Sequence, residues 1–219
     1  MTRTDKVWFS NVKWLGMPVI GEGAIRMYRC MGVIPELESS RLRLRKLEDT
    51  DAAQLYKYWG DDEVVRYLNM SRLESVQDTL DMINLLNGLS ESEDTLRWGI
   101  ELKETGILIG SCGFNVWQLA GANRGEIGYD LGVAYWGRGF MPEALQTMME
   151  FGYSVMGLNR IEALVLPENS ASRRMLDKLG FQEEGLLREY QQNEQAEGYI
   201  DLHLYALLKR EFVQRRMAY

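Results

Sequence analysis

Across two glycines between residues 124 and 156 the chain changes its periodicity, and that change limits the folds open to it. Residues 124–133 form an apolar, Gly-punctuated run that reads as a strand. Residues 141–156 then place Met141, Ala144, Leu145, Met148, Met149, Gly152 and Val155 at helical spacing. Pro142 falls in the first helical turn, where its missing N–H would be unpaired anyway. Gly137 and Gly139 therefore occupy a strand-to-helix loop, with unpaired N–H groups and the positive end of a helix aimed into it. Such a loop suits a phosphate, with Arg138 as an added cation, although two glycines also serve a plain tight turn. It is not a dinucleotide fingerprint, because Pro142 stands at the third glycine of G-x-G-x-x-G, and it lacks the Lys-Ser/Thr of a P-loop.

The remaining elements follow from local pattern. Residues 40–47 alternate polar and apolar, which is a half-buried strand. Glu48, Asp49, Thr50 and Asp51 supply caps for a helix carrying Ala52, Leu55, Tyr58 and Trp59. Residues 61–68 read as a short helix, and 75–89 as a longer one with Val76, Leu80, Ile83, Leu86 and Leu89 on one face. Residues 96–103 and 107–115 flank Glu104-Thr105-Gly106 as a hairpin. Gly157 stops the central helix, residues 160–166 form a strand, and Asn169 or Ser170 caps a helix ending at Gly180. Residues 181–190 and 199–208 are two strands around a polar loop. The expectation is an α+β domain over residues 36–219, with a mixed central β-sheet of about seven strands and flanking helices.

An N-terminal extension, residues 1–35, stands apart from that domain. Its basic residues Arg3, Lys6, Lys13, Arg26 and Arg29 outnumber Asp5 and Glu22. Trp8, Phe9, Trp14, Val19, Ile20, Ile25 and Tyr28 make it too apolar for a free tail. It reads as a strand or arm packed on the domain or on a second subunit, which is compatible with a homodimer, or as an incidental leader before a start at Met27 or Met31.

Composition narrows the function classes. With 219 residues, 46% hydrophobic and 26% charged, the chain can bury one sizeable core. No apolar run approaches the roughly 20 residues that span a bilayer, so no membrane partner is expected. Lys13, Glu22 and Arg26 interrupt what would otherwise resemble a secretory signal. Cys30 and Cys112 are far apart and His203 is the single histidine, so no metal site is expected and a reducing, cytoplasmic setting fits. The net charge of −7 argues against a nucleic-acid partner and mildly favours cationic ones.

The Trp136-Gly137-Arg138-Gly139-Phe140 loop with Glu143-Ala144-Leu145 resembles the pyrophosphate loop of the GNAT acetyltransferases, R/Q-x-x-G-x-G/A, with Ala134 at the R/Q position. Its wording is similar to the RimJ/RimL-like branch, which acetylates protein N-termini. A second stretch, Asn169-Ser170-Ala171-Ser172 followed by Leu176-Asp177-Lys178-Leu179-Gly180-Phe181, resembles the family's N-x-x-S and l-x-k-l-G-F. Taken alone, it is also simply a helix N-cap and a C-terminal Gly cap. The resemblance spans roughly residues 37–212 and implies the GNAT fold, with the sheet splayed at an acetyl-CoA site. It implies that Gly137, Arg138, Gly139, Phe140 and Met141 hold the pyrophosphate, and that Asn169 and Ser172 meet the pantetheine arm or the thioester sulfur. The arm would lie between strands 126–133 and 160–166, where Gly128 and Gly132 suit a bulge or close approach. A freed N–H among Leu131, Gly132 and Val133 would polarise the thioester carbonyl.

The reaction implied is direct acetyl transfer from acetyl-CoA to an amine. An ammonium must first lose a proton, which at pH 7 costs about 1 kcal/mol for an α-amine and about 4–5 kcal/mol for lysine. Glu126, in an E-I-G-Y run similar to RimJ/RimL-like proteins, is the first candidate base; a substrate-orienting or surface carboxylate is the other reading. Asp130 reads as solvated, and His203 as a structural residue, with a group that titrates near neutrality as the other reading. Many GNATs place a Tyr before G-F to protonate the leaving thiolate; Leu176 stands there, which leaves Ser172 as the substitute acid or a thiolate that departs unaided. Cys112 reads as a buried small hydrophobe, and Trp59, Trp98, Trp117 and Trp136 as core or pocket wall, with Trp117 and Tyr67 near an acceptor groove. The expected acceptor is a protein or peptide α-amine. A small amine (polyamine, amino acid or antibiotic) is the alternative, and a non-catalytic acyl-CoA-binding module the third reading.

Overall fold

The computed structural model describes residues 28–92 and 95–217, so residues 1–27 of the expected 1–35 arm, with Trp8, Phe9 and Trp14, lie outside the described residues. The strands are β1 (Leu37–Glu38), β2 (Leu42–Arg45), β3 (Leu96–Leu102), β4 (Leu108–Gln118), β5 (Arg124–Leu131), β6 (Arg160–Val165), β7 (Gln182–Gln192) and β8 (Tyr199–Leu208). The helices are α1 (Ala52–Trp59), α2 (Asp62–Val65), α3 (Val76–Glu91), α4 (Phe140–Phe151), α5 (Ser170–Leu179) and α6 (Lys209–Met217). All eight strands form one mixed sheet in the order β1-β2-β3-β4-β5-β6-β8-β7, antiparallel except for the β5–β6 pair. The strand beyond the seven expected is β1, too short to show a periodicity of its own.

Burial explains the layering. In β4, residues 108–114 are all buried, the mark of a strand covered on both faces. Its neighbours Leu108 and Ile109 point to opposite faces and join different cores. The larger core packs Trp98, Cys112 and Phe114 against Ala144, Leu145, Met148 and Met149 of α4. The smaller core gathers Leu47, Leu55, Tyr58, Trp59, Ile83 and Leu108 beneath α1 and α3. Burying each large apolar side chain contributes roughly 1.5–3 kcal/mol before the entropy of ordering is counted. Ahead of β1, Tyr28 sets its ring edge-on to Phe151 at 5.5 Å between centroids, and Cys30 is buried.

The feature that positions the site is an incomplete ladder. β5 and β6 pair only at Arg124↔Arg160, Gly125↔Ile161 and Glu126↔Glu162, although β5 continues to Leu131 and β6 to Val165. Along its other edge β6 pairs with β8 from Arg160 to Val165, so it is β5 and β6 that part.

Several local expectations shift. β5 ends at Leu131, and Val133 starts a 3-10 turn. The central helix begins at Phe140, and its last turn, Gly152–Met156, is a π-helix closed by Gly157 at φ 75°. On α3 the buried residues are Thr79, Ile83 and Ser90, while Val76 is exposed. α6 has no clear apolar stripe, burying Phe212 alone, which is why pattern did not reveal it. No helix among the described residues is long and apolar enough to cross a membrane.

Two glycines give opposite predictions. A Cβ on Gly110 would lie 2.3 Å from the Asp130 carbonyl oxygen and 2.8 Å from Leu131 Cα, both backbone atoms of β5 that cannot step aside. A Cβ on Gly88 of α3 meets nothing within 4 Å. In urea denaturation, Gly110→Ala is expected to cost about 1–3 kcal/mol, whereas Gly88→Ala stabilises by roughly 0.5–1 kcal/mol.

Candidate active site

The loop after β5 is built by conformation and by one carboxylate. Gly137 and Gly139 have φ of 71° and 76°, a left-handed backbone that only glycine adopts cheaply, and Gly139 is the N-cap of α4. Nothing lies within 4 Å of where a Cβ on Gly137 would stand, so the loop's surface is open to a ligand. Glu143, in the first turn of α4, accepts from Ser39 Oγ (2.7 Å), Ser40 Oγ (3.0 Å) and Arg41 N (2.9 Å), and from Arg41 Nε at 2.6 Å. Burial alone would raise this carboxyl, but the hydrogen bonds from Ser39, Arg41 and Ser40 outweigh it and hold it below the ordinary range. Arg41 also donates to the Arg138 carbonyl (3.1 Å) and lies 4.5 Å over the Phe140 ring, with Arg138 itself at 5.0 Å from that ring. Two guanidinium groups thus flank the start of α4, and Met141 is buried beneath. Sequence pattern pointed to the loop and missed Arg41, whose partner is 102 residues away.

A cavity of ≈ 320 Å³ fills the parting of β5 and β6. Alternation along β5 sends Tyr129 and Leu131 toward the larger core, and Glu126, Gly128 and Asp130 toward α1 and α3. Gly132 donates its N–H to Ile109 of β4 at 2.9 Å, so this N–H is not the freed one. The antiparallel alternation of β4–β5 then turns the Leu131 N–H toward β6, beyond the last β5–β6 pair. The Leu131 carbonyl accepts from Trp136 Nε1 at 2.6 Å. Val133 is exposed outside the cavity. Across the parting, Asn169 caps α5 by accepting the Ser172 N–H at 3.0 Å, and Ser172 Oγ stands 2.5 Å from the Tyr129 hydroxyl. Burial pushes the Tyr129 phenol up to about 12.

On the opposite face lies a polar network. Asp130 is buried rather than solvated: it accepts from Arg97 NH2 (2.6 Å), Ser111 Oγ and Trp59 Nε1 (3.1 Å). Arg97 also donates to Asn115 Oδ1 at 3.3 Å. Asn115 is the extra residue of a β-bulge between Phe114 and Val116, and its amide lies where a Cβ on Gly128 would fall, at 2.6 Å. Glu126 lines the cavity beside it. Burial raises the Glu126 carboxyl above its ordinary range; Asn115 opposes the shift, Glu162 adds to it and Arg124 opposes it.

Beyond this network, Tyr67, Leu68, Asn69 and Met70 wall the cavity, and Trp117 does not. The loop between β7 and β8 is clasped to them: Gln195 Nε2 donates to the Leu68 (2.7 Å) and Met70 (2.9 Å) carbonyls, and Asn69 Nδ2 to Gln192 O (2.8 Å). His203 stands outside the cavity, its Nδ1 2.7 Å from Glu183. Leu176 is fully buried. Cys30 and Cys112 are buried and form no disulfide; Cys30 Sγ donates to the Ser90 carbonyl at 2.9 Å, and burial pushes the Cys112 thiol up to about 12. No group of three or more metal-ligating side chains occurs among the described residues.

Arg97→Met is expected to cost about 3–5 kcal/mol in denaturant, since it leaves the Asp130 carboxylate buried without its counter-charge. For Glu126 the folded pKa lies above the unfolded one, so its protonated form is favoured by folding and stability falls as pH rises through the raised value. Glu126→Gln should therefore melt above the wild type at pH 7 and together with it near about pH 4.

The family model described as Acetyltransferase (GNAT) domain matches residues 41–182. The chain is 46% identical to "Uncharacterized N-acetyltransferase p20" of Bacillus licheniformis, covering 80% of this chain and 97% of that protein. It is 27% identical to the ribosomal protein uS5-alanine N-acetyltransferase of Escherichia coli (strain K12), over 70% of this chain and 81% of the relative. Among solved structures, Mycobacterium smegmatis RimJ in complex with CoA-disulfide matches with a TM-score of 0.71 at 25% identity, over 81% of this chain and 88% of that one. A parted β5–β6 pair beside a glycine loop, in a chain matched over most of its length, thus belongs to the GNAT acetyltransferase family.

Proposed function

We propose that this acyltransferase moves an acetyl group from acetyl-CoA directly onto the α-amine of a protein or peptide. The fit to acetyl-CoA rests on the open left-handed loop at Gly137–Gly139, the start of α4 and the parting that leads inward from them. In this reading Gly137, Arg138, Gly139, Phe140 and Met141 hold the pyrophosphate, while Leu131, Gly132, Val133, Asn169 and Ser172 border the pantetheine arm. The Leu131 N–H donates to the thioester oxygen as negative charge develops there. Glu126 takes the proton of the attacking ammonium, directly or through water, and its raised pKa makes it a better base near neutrality than an ordinary carboxylate. The C–N bond forms, the nitrogen gives up its second proton to water, the C–S bond breaks with its electron pair on sulfur, and Ser172 faces that sulfur.

One observation carries the choice of acceptor. The cavity adjoins a second hollow of ≈ 560 Å³, with Leu68, Asn69, Leu166 and Ile200 as shared walls. Glu168, Glu189, Asp201 and Tyr199 line that hollow. A space that runs outward from the reacting centre and bears carboxylates suits a cationic chain behind the amine. The relatives that acetylate the alanine of ribosomal protein uS5 support the same class.

The test is thiol release from acetyl-CoA with peptides bearing N-terminal Ala, Ser or Met, set against polyamines and aminoglycosides. Peptides are expected to react; turnover of polyamines or aminoglycosides alone would sink the proposal. Glu126→Gln should lower kcat/KM with the best peptide by about 10²–10⁴-fold at pH 7 and remove the rising limb of its pH profile.

A further inference from the structure

We infer that Tyr129 is a positioning residue for the transfer: its phenol hydrogen bonds to Ser172 Oγ and so leaves the Ser172 hydroxyl hydrogen for the departing sulfur. The inference deepens the transferase reading above and rests on it. Four observations carry it. Tyr129 lies three residues past the last β5–β6 pair, where the strands have already separated, and its side chain spans to α5 on the other side. The two oxygens are 2.5 Å apart, and Ser172 is only 8% exposed. Both residues line the cavity, and Leu176, one turn further along α5, brings no polar atom. Ser172 is anchored through its backbone N–H by Asn169 Oδ1, so its hydroxyl is free of capping duty.

The direction of the hydrogen bond follows from what each oxygen can do. Each hydroxyl has one hydrogen and can also accept, but a phenol is more acidic than a serine hydroxyl and its oxygen the weaker acceptor, so Tyr129 is the favoured donor and Ser172 the favoured acceptor. Burial keeps Tyr129 protonated at neutral pH, so it remains a donor throughout turnover. With Tyr129 donating, the Ser172 hydrogen turns toward the cavity. As the C–S bond breaks, its electron pair stays on sulfur and Ser172 donates a hydrogen bond to that thiolate. No proton needs to leave either hydroxyl, and the thiolate later takes its proton from water. A phenol with a raised pKa is a poor proton source, so the pair serves better as an oriented donor than as a relay.

Tyr129→Phe, Ser172→Ala and the double variant, assayed with acetyl-CoA and the best amine, test this. Tyr129→Phe is expected to lower kcat by about 3- to 10-fold with KM for acetyl-CoA within about twofold. In the Ser172→Ala background the same change should cost nothing further, because Tyr129 then has nothing to orient. Unchanged kcat in Tyr129→Phe, or losses that multiply in the double variant, overturn the inference while leaving the transferase reading intact. If Tyr129→Phe fails to fold, Tyr129→Met takes its place in the same cycle with the same outcomes deciding, and full kcat in Ser172→Ala removes any role for the pair. A wild type that transfers acetyl to no amine defeats the function and this inference together.

Discussion

Two parallel strands that pair for three residues and then separate impose most of what is unusual in this molecule. Each backbone group turned into the gap loses a ladder partner, and an unpaired buried amide or carbonyl costs roughly 1–3 kcal/mol. The surroundings limit that cost. Trp136 takes the Leu131 carbonyl, Gly132 turns its N–H back to β4, and the Tyr129–Ser172 contact bridges the two sides with side chains. The Leu131 N–H is turned toward β6, beyond the last pair of the two strands. The gap persists because β6 is held along its other edge by β8 and β5 along its other edge by β4.

Around the gap, rigidity comes from buried charge as well as from apolar packing. Asp130 sits between the two cores with Arg97, Ser111 and Trp59 satisfying its oxygens, so an ion is tolerated where desolvation alone would expel it. Arg97 reaches onward to Asn115, and the bulge aims that amide over Gly128 toward the end of β5 where Glu126 stands. On the other side Glu143 ties the turn before β2 to the first turn of α4, and Arg41 fastens the glycine loop between them. The loop is thus held from outside by its neighbours while its own left-handed glycines leave the inner surface bare.

Much of this was legible residue by residue. Gly137 and Gly139 flagged the loop, because a strand period gives way to a helix period across them. Asn169 at the N-cap and Gly180 at the C-cap marked α5, and the structure places both there. Asp130 was misread, because a carboxylate in a strand looks solvated until the neighbouring strand is known; the freed N–H, left open among Leu131, Gly132 and Val133, is narrowed by the bond from Gly132 to Ile109. Arg41, Tyr129 and Asn115 gave no signal, since an arginine in a polar–apolar strand, a tyrosine in an apolar one and an asparagine near a strand end are all ordinary.

The sequence alone determined the order of elements from β2 to β8, the glycine loop and the helix caps, because those depend on neighbours within a few residues. It also determined the family, through motifs in which spacing along the chain is itself the information. Only the tertiary structure decided where β5 and β6 part, that Tyr129 meets Ser172 across 43 residues, and that Glu126 shares a face with Asn115 and Asp130. Those outcomes depend on register and bulges between strands. A shift of one residue sends a side chain to the opposite face of the sheet, and local periodicity carries no record of that choice.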